Sequence, residues 1–204
     1  MKRSKEDAAQ TRETLLGAAL TVFSTKGYTA STLEDIAKAA NVTRGALYHH
    51  FVGKAELYNT LVAQAAGQPG QIVQQAIQEG GTFLEIMRKV FVRQIVLIES
   101  DATYRATAEL AMFKLEPNVE LEAANELLSK GRQATLELLA QAFQEGIQAG
   151  FVRSDLEPVE IARTFLSLQI GLFHVWCTHP QAFNLEHSAN VLAEVMVAGI
   201  QARA

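Results

Sequence analysis

The sequence predicts an all-α protein of about nine helices, organised as two domains. Apolar residues recur every three or four positions along most of the 204-residue chain, which is the spacing of one helix face. The sequence has no alternating runs of β-branched residues, which would predict strands. Gly27 and Gly150 follow periodic segments, as helix-ending glycines do. We therefore expect one helical domain at residues 1–53 and a second at residues 54–204.

The first predicted helix covers residues 7–26. Its apolar residues recur at spacings of three and four, and a basic last residue followed by Gly27 ends it. We expect this helix to pack on the next two through Leu16, Leu20 and Phe23.

Residues 32–51, TLEDIAKAANVTRGALYHHF, predict two short helices joined by a tight turn. Ile36 and Ala40 lie on the inward stripe of the first helix, and Leu47 lies on that of the second. Asn41 falls where the chain must reverse into a left-handed conformation, which Asn tolerates best after Gly. This arrangement is a helix-turn-helix.

The second of these helices carries polar residues outward and no acidic residue. An arginine there can make a bidentate contact to guanine in the major groove, and hydroxyl and lysine side chains can hold phosphates. From periodicity alone, an ordinary surface helix pair is the alternative. We predict that Arg44 contacts bases and that the other residues mostly hold the DNA backbone. The predicted DNA-contacting residues are Thr32, Thr43, Arg44, Gly45, Tyr48, His49 and Lys54.

The rest of the chain predicts further helices. A fourth helix starts at Lys54 and runs to about residue 66, and the segment 67–70 (GQPG) either ends it in a loop or kinks it before residues 71–78. Later periodic segments predict helices at residues 83–99, 101–114, 119–149, 159–178 and 185–203, with a break at residues 116–118.

Charge is distributed unevenly along the chain. Residues 1–60 carry 8 Lys and Arg against 6 Asp and Glu, whereas residues 61–204 carry 10 against 16. The net charge of −4 argues against a protein that coats nucleic acid generally. DNA binding would therefore be local to the N-terminal region and sensitive to salt.

Several features favour a cytoplasmic protein. The single cysteine, Cys177, excludes an intramolecular disulfide and a multi-cysteine zinc site. The polar start MKRSKEDAAQTRE lacks the apolar core of a secretory signal. Residues 164–185 contain no Asp, Glu, Lys or Arg, but polar residues such as Gln169 and His174 interrupt them. They therefore predict a buried core helix, not a membrane span.

The sequence shows no motif of an enzyme. Its histidines have no metal-ligand spacing such as HExxH, and no glycine-rich phosphate loop or nucleophile elbow occurs. We predict that the chain is not an enzyme and uses no cofactor. The five histidines are His49, His50, His174, His179 and His187.

A long, specific pattern is formed by Arg12, FSTKGY at residues 23–28, the helix-turn-helix at 32–51 and KAEL at 54–57. This pattern resembles the DNA-binding signature of the TetR family of bacterial transcriptional regulators. Two positions depart from it: Asn41, where the family more often has Gly, and His49, at a variable position. The resemblance implies an N-terminal three-helix DNA-binding domain and a C-terminal helical domain for ligand binding and dimerisation.

The start MKRSKEDAAQTRETLL and the ending HVWCTHPQAFNLEHSANVLAEVMVAGI are similar to the AcrR/TtgR-like subgroup of TetR-type repressors, which control multidrug efflux pumps. Such proteins bind apolar or aromatic compounds inside the C-terminal domain and then leave their operator. The resemblance implies a ligand-responsive repressor of efflux or detoxification genes. The candidate pocket residues are Met87, Phe91, Gln94, Met112, Phe113, Gln141, Phe165, Gln169, Phe173, His174 and Trp176.

Four of these candidates, Gln94, Gln141, Gln169 and His174, are polar residues on otherwise apolar faces. A buried polar group needs a partner, which a ligand or water could supply. An apolar cavity with a few polar groups is also the usual build of a small-molecule site. For each Phe or Met, plain core packing is the alternative.

The last two predicted helices each carry a seam of apolar residues at spacings of three and four. Pairing with the same two helices of a second copy would form a four-helix dimer interface, which is also how TetR-like proteins associate. Alternatively, the seam only closes the protomer's own core. A twofold dimer would place the recognition helices roughly 34 to 36 Å apart. The predicted interface residues are Ile161, Phe165, Leu168, Leu172, Val175, Leu192, Met196 and Gly199.

The expected partners are thus double-stranded operator DNA, an apolar or aromatic small-molecule effector and a second copy of the chain, with no membrane. An alternative function uses the same N-terminal domain: a DNA-binding regulator that responds to a protein partner and not to a small molecule. Only a ligand response separates the two.

Overall fold

The computed structural model describes residues 5–113 and 119–202. In these two ranges the chain forms nine α-helices and no strand, as the sequence predicts. A short 3-10 helix at Val119–Leu121 precedes α7, and the predicted break at residues 116–118 lies outside the described residues. The helices are α1 (Lys5–Lys26), α2 (Leu33–Ala39), α3 (Arg44–Tyr48), α4 (Lys54–Gln78), α5 (Phe83–Ser100), α6 (Ala102–Phe113), α7 (Glu122–Gln148), α8 (Pro158–Thr178) and α9 (Leu185–Ile200).

Helices α2 and α3 form the predicted helix-turn-helix. Thr32 begins α2 with a capping box, in which its side chain accepts from the Asp35 N–H and the Asp35 carboxylate accepts from the Thr32 N–H. Asn41 has a φ of 52°, the left-handed conformation that the sequence predicts for the turn. Thr43 begins α3 by accepting a hydrogen bond from the Ala46 N–H at 3.1 Å.

The chain divides into two compact units, the first of which contains the helix-turn-helix. It consists of α1 to α3, α4 as far as Gly67, α6, and α7 as far as Leu128. One apolar core joins these helices, with Leu16, Leu20 and Phe23 buried on α1 as predicted. The domain boundary by function, residues 1–53 against 54–204, stays a prediction.

Segments distant in sequence complete this core. Leu110 on α6 and Leu121, at the end of the 3-10 helix, are each 1% exposed within the same apolar cluster as α1. The compact unit around the helix-turn-helix is therefore larger than its first 53 residues.

Helix α4 continues through Pro69 without interruption. Pro69 cannot donate a backbone hydrogen bond, so the helix loses one bond at this turn. Two contacts beyond this turn hold the continuation in place: Gln94 Nε2 donates to the Pro69 carbonyl oxygen at 3.4 Å, and Ala76 is fully buried. Of the two predicted alternatives, the loop is not observed.

The second unit contains α5, α8 and α9, with α4 from Gln68 and α7 from Ser129. Helix α5 packs on α8 and α9. An aromatic cluster fills part of its core: the rings of Phe91 and Phe165 meet edge to face at 5.1 Å between centroids, and Phe143 lies 6.2 Å from Phe165.

Small residues and a short backbone bridge close this unit. A side chain at Gly146 on α7 would come within 2.7 Å of the Phe83 ring, so glycine permits the close approach of α7 and Phe83. An isolated antiparallel bridge joins Val152 to Gln201, and the Arg153 N–H donates to the Ile200 carbonyl at 2.9 Å. The connector after α7 is thereby tied to the end of α9.

Candidate nucleic-acid interface and ligand-contacting residues

Helix α3 presents a polar face with no acidic residue in its first turn. Because Thr43 caps its first turn and Leu47 is fully buried, the orientation of this short helix on the first unit is fixed. Four predicted DNA-contacting residues, Arg44, Gly45, Tyr48 and His49, are all exposed on or directly after it.

Arg44 and Tyr48 contact each other on this face. The Arg44 Nη2 donates to the Tyr48 hydroxyl oxygen at 3.1 Å, and the guanidinium carbon lies 5.5 Å from the centre of the Tyr48 ring. This hydrogen bond raises the pKa of Arg44 above its ordinary range, which keeps the guanidinium charged.

Thr32 is exposed, but its hydroxyl is engaged in the capping box. The hydroxyl donates to Asp35 Oδ2 at 2.8 Å and accepts from the Asp35 N–H at 3.1 Å. Lys26 Nζ, at the end of α1, donates to the other carboxylate oxygen of Asp35 at 2.6 Å. The hydrogen bond from Lys26, followed by that from Thr32, lowers the pKa of Asp35 below its ordinary range.

Lys54 points its ammonium group into the first unit. Its Nζ donates to the carbonyl oxygens of Tyr28 at 2.8 Å and Ser31 at 3.0 Å, with Thr29 at 3.5 Å. It also lies 4.3 Å from the centre of the Tyr28 ring. This geometry is that of a residue stabilising the turn between α1 and α2, and phosphate contact by Lys54 stays a prediction without support from its orientation.

A groove of about 430 Å³ separates the exposed parts of α2 and α3. Two charged residues that line this groove, Glu34 and Lys38, are not among the predicted DNA contacts. Both lie on α2, outside its apolar stripe. Its lining residues are Glu34, Ala37, Lys38, Val42 and Arg44.

Tyr28 connects the turn after α1 to the 3-10 helix. Its hydroxyl donates to Glu120 Oε2 at 2.8 Å. Burial and this carboxylate raise the pKa of Tyr28 far above its ordinary range, so the phenol is neutral at physiological pH. The sequence analysis missed this bond because the two residues are 92 positions apart.

The predicted pocket residues do not share one environment. Five are buried in the second unit: Met87, Phe91, Phe165, Phe173 and Trp176.

The remaining pocket candidates differ in exposure. Gln141 and His174 are exposed, as is Met112, at 43%. Met112 belongs to the first unit, and the side chain of Phe113 lies outside what the structure describes. That all of these residues line one pocket stays a prediction.

Two glutamines of the pocket list form a polar network in the second unit. Gln169 Nε2 donates to Gln94 Oε1 at 3.0 Å and lies 3.3 Å from the Phe91 carbonyl oxygen, while Gln94 Nε2 reaches the Pro69 carbonyl oxygen at 3.4 Å. The partners that the sequence analysis assigned to ligand or water are therefore supplied by the chain itself. A ligand with a polar group would have to replace one of these bonds.

A second groove, of about 400 Å³, lies between α7 and α8 in the second unit. None of the predicted pocket residues lines it. Its lining residues are Ser129, Arg132, Gln133, Leu136, Arg163, Leu166 and Ser167.

The predicted dimer residues also separate by burial. Ile161, Phe165 and Met196 are 4% exposed or less, because their sides of α8 and α9 face the protein's own core. They therefore have almost no free surface to give to a second copy, and the structure assigns them to the core. Leu168, Leu172 and Leu192 are half-buried, and Val175 and Gly199 are exposed.

Four large apolar residues of these two helices are exposed. Ile170 and Val175 on α8 are 42% and 51% exposed, and Val191 and Val195 on α9 are 44% and 64% exposed. Both helices are apolar on more than one face, so spacing alone does not identify the exposed positions, and the dimer interface stays a prediction.

Two kinds of feature are absent from residues 5–113 and 119–202. No group of three His, Cys, Asp or Glu residues that could hold a metal ion occurs in them. None of the helices there is long and apolar enough to cross a membrane.

Known proteins share both parts of this architecture. Residues 15–61 match the family described as bacterial regulatory proteins, tetR family, and residues 82–201 match the MAATS-type transcriptional repressor, C-terminal region. The HTH-type transcriptional repressor BepR of Brucella suis biovar 1 (strain 1330) is 28% identical over 96% of this chain and 95% of its own.

Two solved structures have the same fold. NalD, the secondary repressor of the MexAB-OprM multidrug efflux pump in Pseudomonas aeruginosa, is 30% identical with a TM-score of 0.83, over 97% of this chain and 98% of NalD. SmeT, solved as a complex with triclosan, is 23% identical with a TM-score of 0.80, over 94% and 92% of the two chains, and supports the fold alone.

Proposed function

Because the chain belongs to the TetR family of bacterial regulatory proteins, we propose that it is a DNA-binding transcriptional repressor that a small molecule releases from its operator. The observation that carries this proposal is the exposed face of α3, which has no acidic residue and has Arg44 at its start. Efflux or detoxification genes are the proposed targets, since the 30% identical NalD represses a multidrug efflux pump. The proposed function is regulatory, and no enzymatic step is part of it.

In this proposal α3 enters the major groove of the operator. Arg44 contacts a base, and the neighbouring hydroxyl groups and His49 hold the backbone. Lys38 is added to the proposed contacts because it lines the groove beside Arg44. Lys54 contributes indirectly, by holding the turn that leads into α2.

Binding to an operator with two half-sites requires two copies of α3. We assign the dimer contact to exposed apolar residues of α8 and α9, namely Val175, Val191 and Val195. Isolated exposed apolar residues are common on protein surfaces, but Val191 and Val195 are four positions apart and therefore share one exposed side of α9, which association would cover. Twofold pairing then sets the spacing of the recognition helices.

The effector site is proposed for the second unit, around the glutamine network and its aromatic neighbours. Gln94 and Gln169 are polar groups beside the buried Phe91 and Phe165 rings, and a mixed apolar and polar lining suits an aromatic compound with one polar group. Such a compound would replace the bond between the two glutamines. Its effect on DNA binding can be no larger than its preference for the released state over the DNA-bound state.

Fluorescence anisotropy with labelled DNA from upstream of the chain's own gene tests this function. We expect salt-dependent binding by the wild-type protein, and release by some members of a panel of aromatic compounds that includes triclosan, the ligand of the SmeT complex. Two variants accompany the wild type. Gln169→Leu is expected to change release by the aromatic compounds but not DNA affinity. Val195→Glu is expected to weaken both dimerisation and DNA binding.

Two results would contradict parts of the proposal. Absence of salt-dependent DNA binding would remove the repressor function. Binding that persists through the whole panel would remove the small-molecule effector and favour a regulator that responds to a protein partner.

A further inference from the structure

The geometry of α3 points to a role for Tyr48 that goes beyond holding a phosphate: we propose that Tyr48 is a positioning residue that aims the Arg44 guanidinium at one base pair, and that it thereby contributes to operator specificity. This inference rests on the proposed function, because it concerns how the same helix reads DNA. It assigns to Tyr48 an effect on sequence preference, whereas a phosphate contact would strengthen binding to any sequence.

The first support is the spacing of the two residues. Arg44 and Tyr48 are four positions apart on a helix, so their side chains lie on the same side, one turn from each other. The Arg44 Nη2 lies 3.1 Å from the Tyr48 hydroxyl oxygen, and the guanidinium carbon lies 5.5 Å from the ring centre. One side chain therefore holds the guanidinium by both its hydroxyl and its ring.

The second support is exposure. Tyr48 is 46% exposed, and Arg44 is also exposed, so the pair is not a product of core packing. An unrestrained arginine on a surface helix samples many rotamers, and ordering it on binding costs conformational entropy. A bond that already restricts Arg44 in the free protein lowers that cost for the one orientation that it favours.

The third support is the set of guanidinium N–H donors that the bond to Tyr48 leaves free for a base. A guanidinium has five N–H donors in a planar fork, and the contact with Tyr48 uses one. Within residues 5–113 and 119–202, Tyr48 is the one side chain hydrogen-bonded to Arg44, although Glu34 lines the same groove. The outer edge of the fork can therefore still make the two parallel bonds that guanine accepts.

The test compares one specific duplex with one random duplex. The full-length wild-type protein first selects a site from a pool of random duplexes, and its affinity for that site and for a scrambled duplex is measured by anisotropy at one salt concentration. The same measurements are made on Tyr48→Phe, Arg44→Ala and the double variant. Tyr104→Phe, which removes a tyrosine hydroxyl from α6, is the matched control and is expected to match the wild type.

We expect Tyr48→Phe to lower affinity for the selected site about tenfold, the effect of one hydrogen bond, and to leave affinity for the scrambled duplex within about twofold. In the Arg44→Ala background the same substitution should have no further effect, because its target is gone. Repeating the selection with each variant should relax the preference at the same base pair in both.

Three results would overturn the role of Tyr48. These are an equal loss on both duplexes, a tenfold loss that persists in the Arg44→Ala background, and an unchanged selected site. The failure of the proposed function is distinguishable from all three, since it would show as wild-type protein that selects no site at all.

Discussion

The two compact units hold their candidate residues in different ways. In the first unit, Arg44, Tyr48 and His49 lie together on one exposed face, where the Thr43 cap and the bond between Arg44 and Tyr48 each span three or four positions. In the second unit, the candidates are divided between a tightly packed core that contains Phe91 and an exposed surface that contains His174. The candidate residues therefore form one surface in the first unit, whereas in the second unit they are dispersed.

The difference has a physical cause. A recognition surface on a short helix needs a cap, a turn residue and a buried stripe, all of which are local properties of the sequence. A ligand site inside a helical bundle depends on which face of each helix meets which neighbour, and several helices of the second unit are apolar on more than one face. Substitutions in the two units should consequently affect different measurements.

The largest effect is expected from Phe165→Ala in the second unit. Phe165 is 1% exposed and contacts the rings of Phe91 and Phe143, so its removal leaves a cavity and should lower the free energy of unfolding by about 3–5 kcal/mol. Urea denaturation followed by circular dichroism measures this change. Leu138→Ala on α7, at a residue 69% exposed, is the control and should change the free energy of unfolding little.

A small effect of Phe165→Ala would contradict its place in the core. It would indicate that the ring lines a space that a neighbour or water can fill. That result would favour the predicted pocket or dimer-interface role of Phe165. The first unit is expected to keep its DNA-contacting face in either case, because Phe165 belongs to the second unit.

Smaller effects are expected for two lysines of the first unit. One substitution should lower stability, and the other should weaken DNA binding. Lys54→Met removes the donor to the Tyr28 and Ser31 carbonyl oxygens and should cost about 2 kcal/mol of unfolding free energy. Lys38→Met, at an exposed residue of the groove beside Arg44, should leave stability unchanged and weaken DNA binding. Urea denaturation and a salt titration of DNA affinity measure the two properties.

The sequence-based role of Lys54 would return if the results were exchanged. A stable Lys54→Met protein whose log-log salt slope falls by about one would identify Lys54 as a phosphate contact. The Lys38→Met protein would then be the one that shows no change in DNA affinity.

How far the sequence could predict the molecule follows from the range of each contact. Most helix bounds and the left-handed Asn41 were predictable because each depends on neighbours a few positions away, whereas the sequence left the end of α4 open. The bond from Tyr28 to Glu120 and the network of Gln94 and Gln169 were not predictable, because their partners are 92 and 75 positions apart. Local patterns carry no information about such pairings.

The apolar seam of α8 and α9 shows a second limit of prediction from sequence spacing. Val175 fits the predicted seam by spacing yet is 51% exposed, whereas Phe173 and Trp176, on another apolar side of α8, are buried. Spacing identifies residues that share a helix face, but a helix with two apolar faces offers two such sets. Only the packing of α5 on α8 and α9 decides which set becomes core.

The smallest effect is expected from Asp35→Asn, and it should depend on pH. The hydrogen bonds from Lys26 and Thr32 lower the folded-state pKa of Asp35 below its unfolded value of about 3.9. Its charge therefore stabilises the first unit above the unfolded pKa, and this contribution is lost as the pH falls through the folded pKa. We expect the urea midpoint of Asp35→Asn to lie below that of the wild type at pH 7 and to converge on it at acid pH.

The control for this change is Glu13→Gln, which removes an exposed carboxylate from α1 and should leave the midpoint unchanged at every pH. A midpoint difference for Asp35→Asn that is constant between pH 7 and pH 3 would mean that the capping geometry, and not the charge, carries the effect. Because the cap orients α2 beside α3, the charge-dependent result would show that a partly exposed ion pair helps to fix the recognition face, whereas the second unit relies on its core.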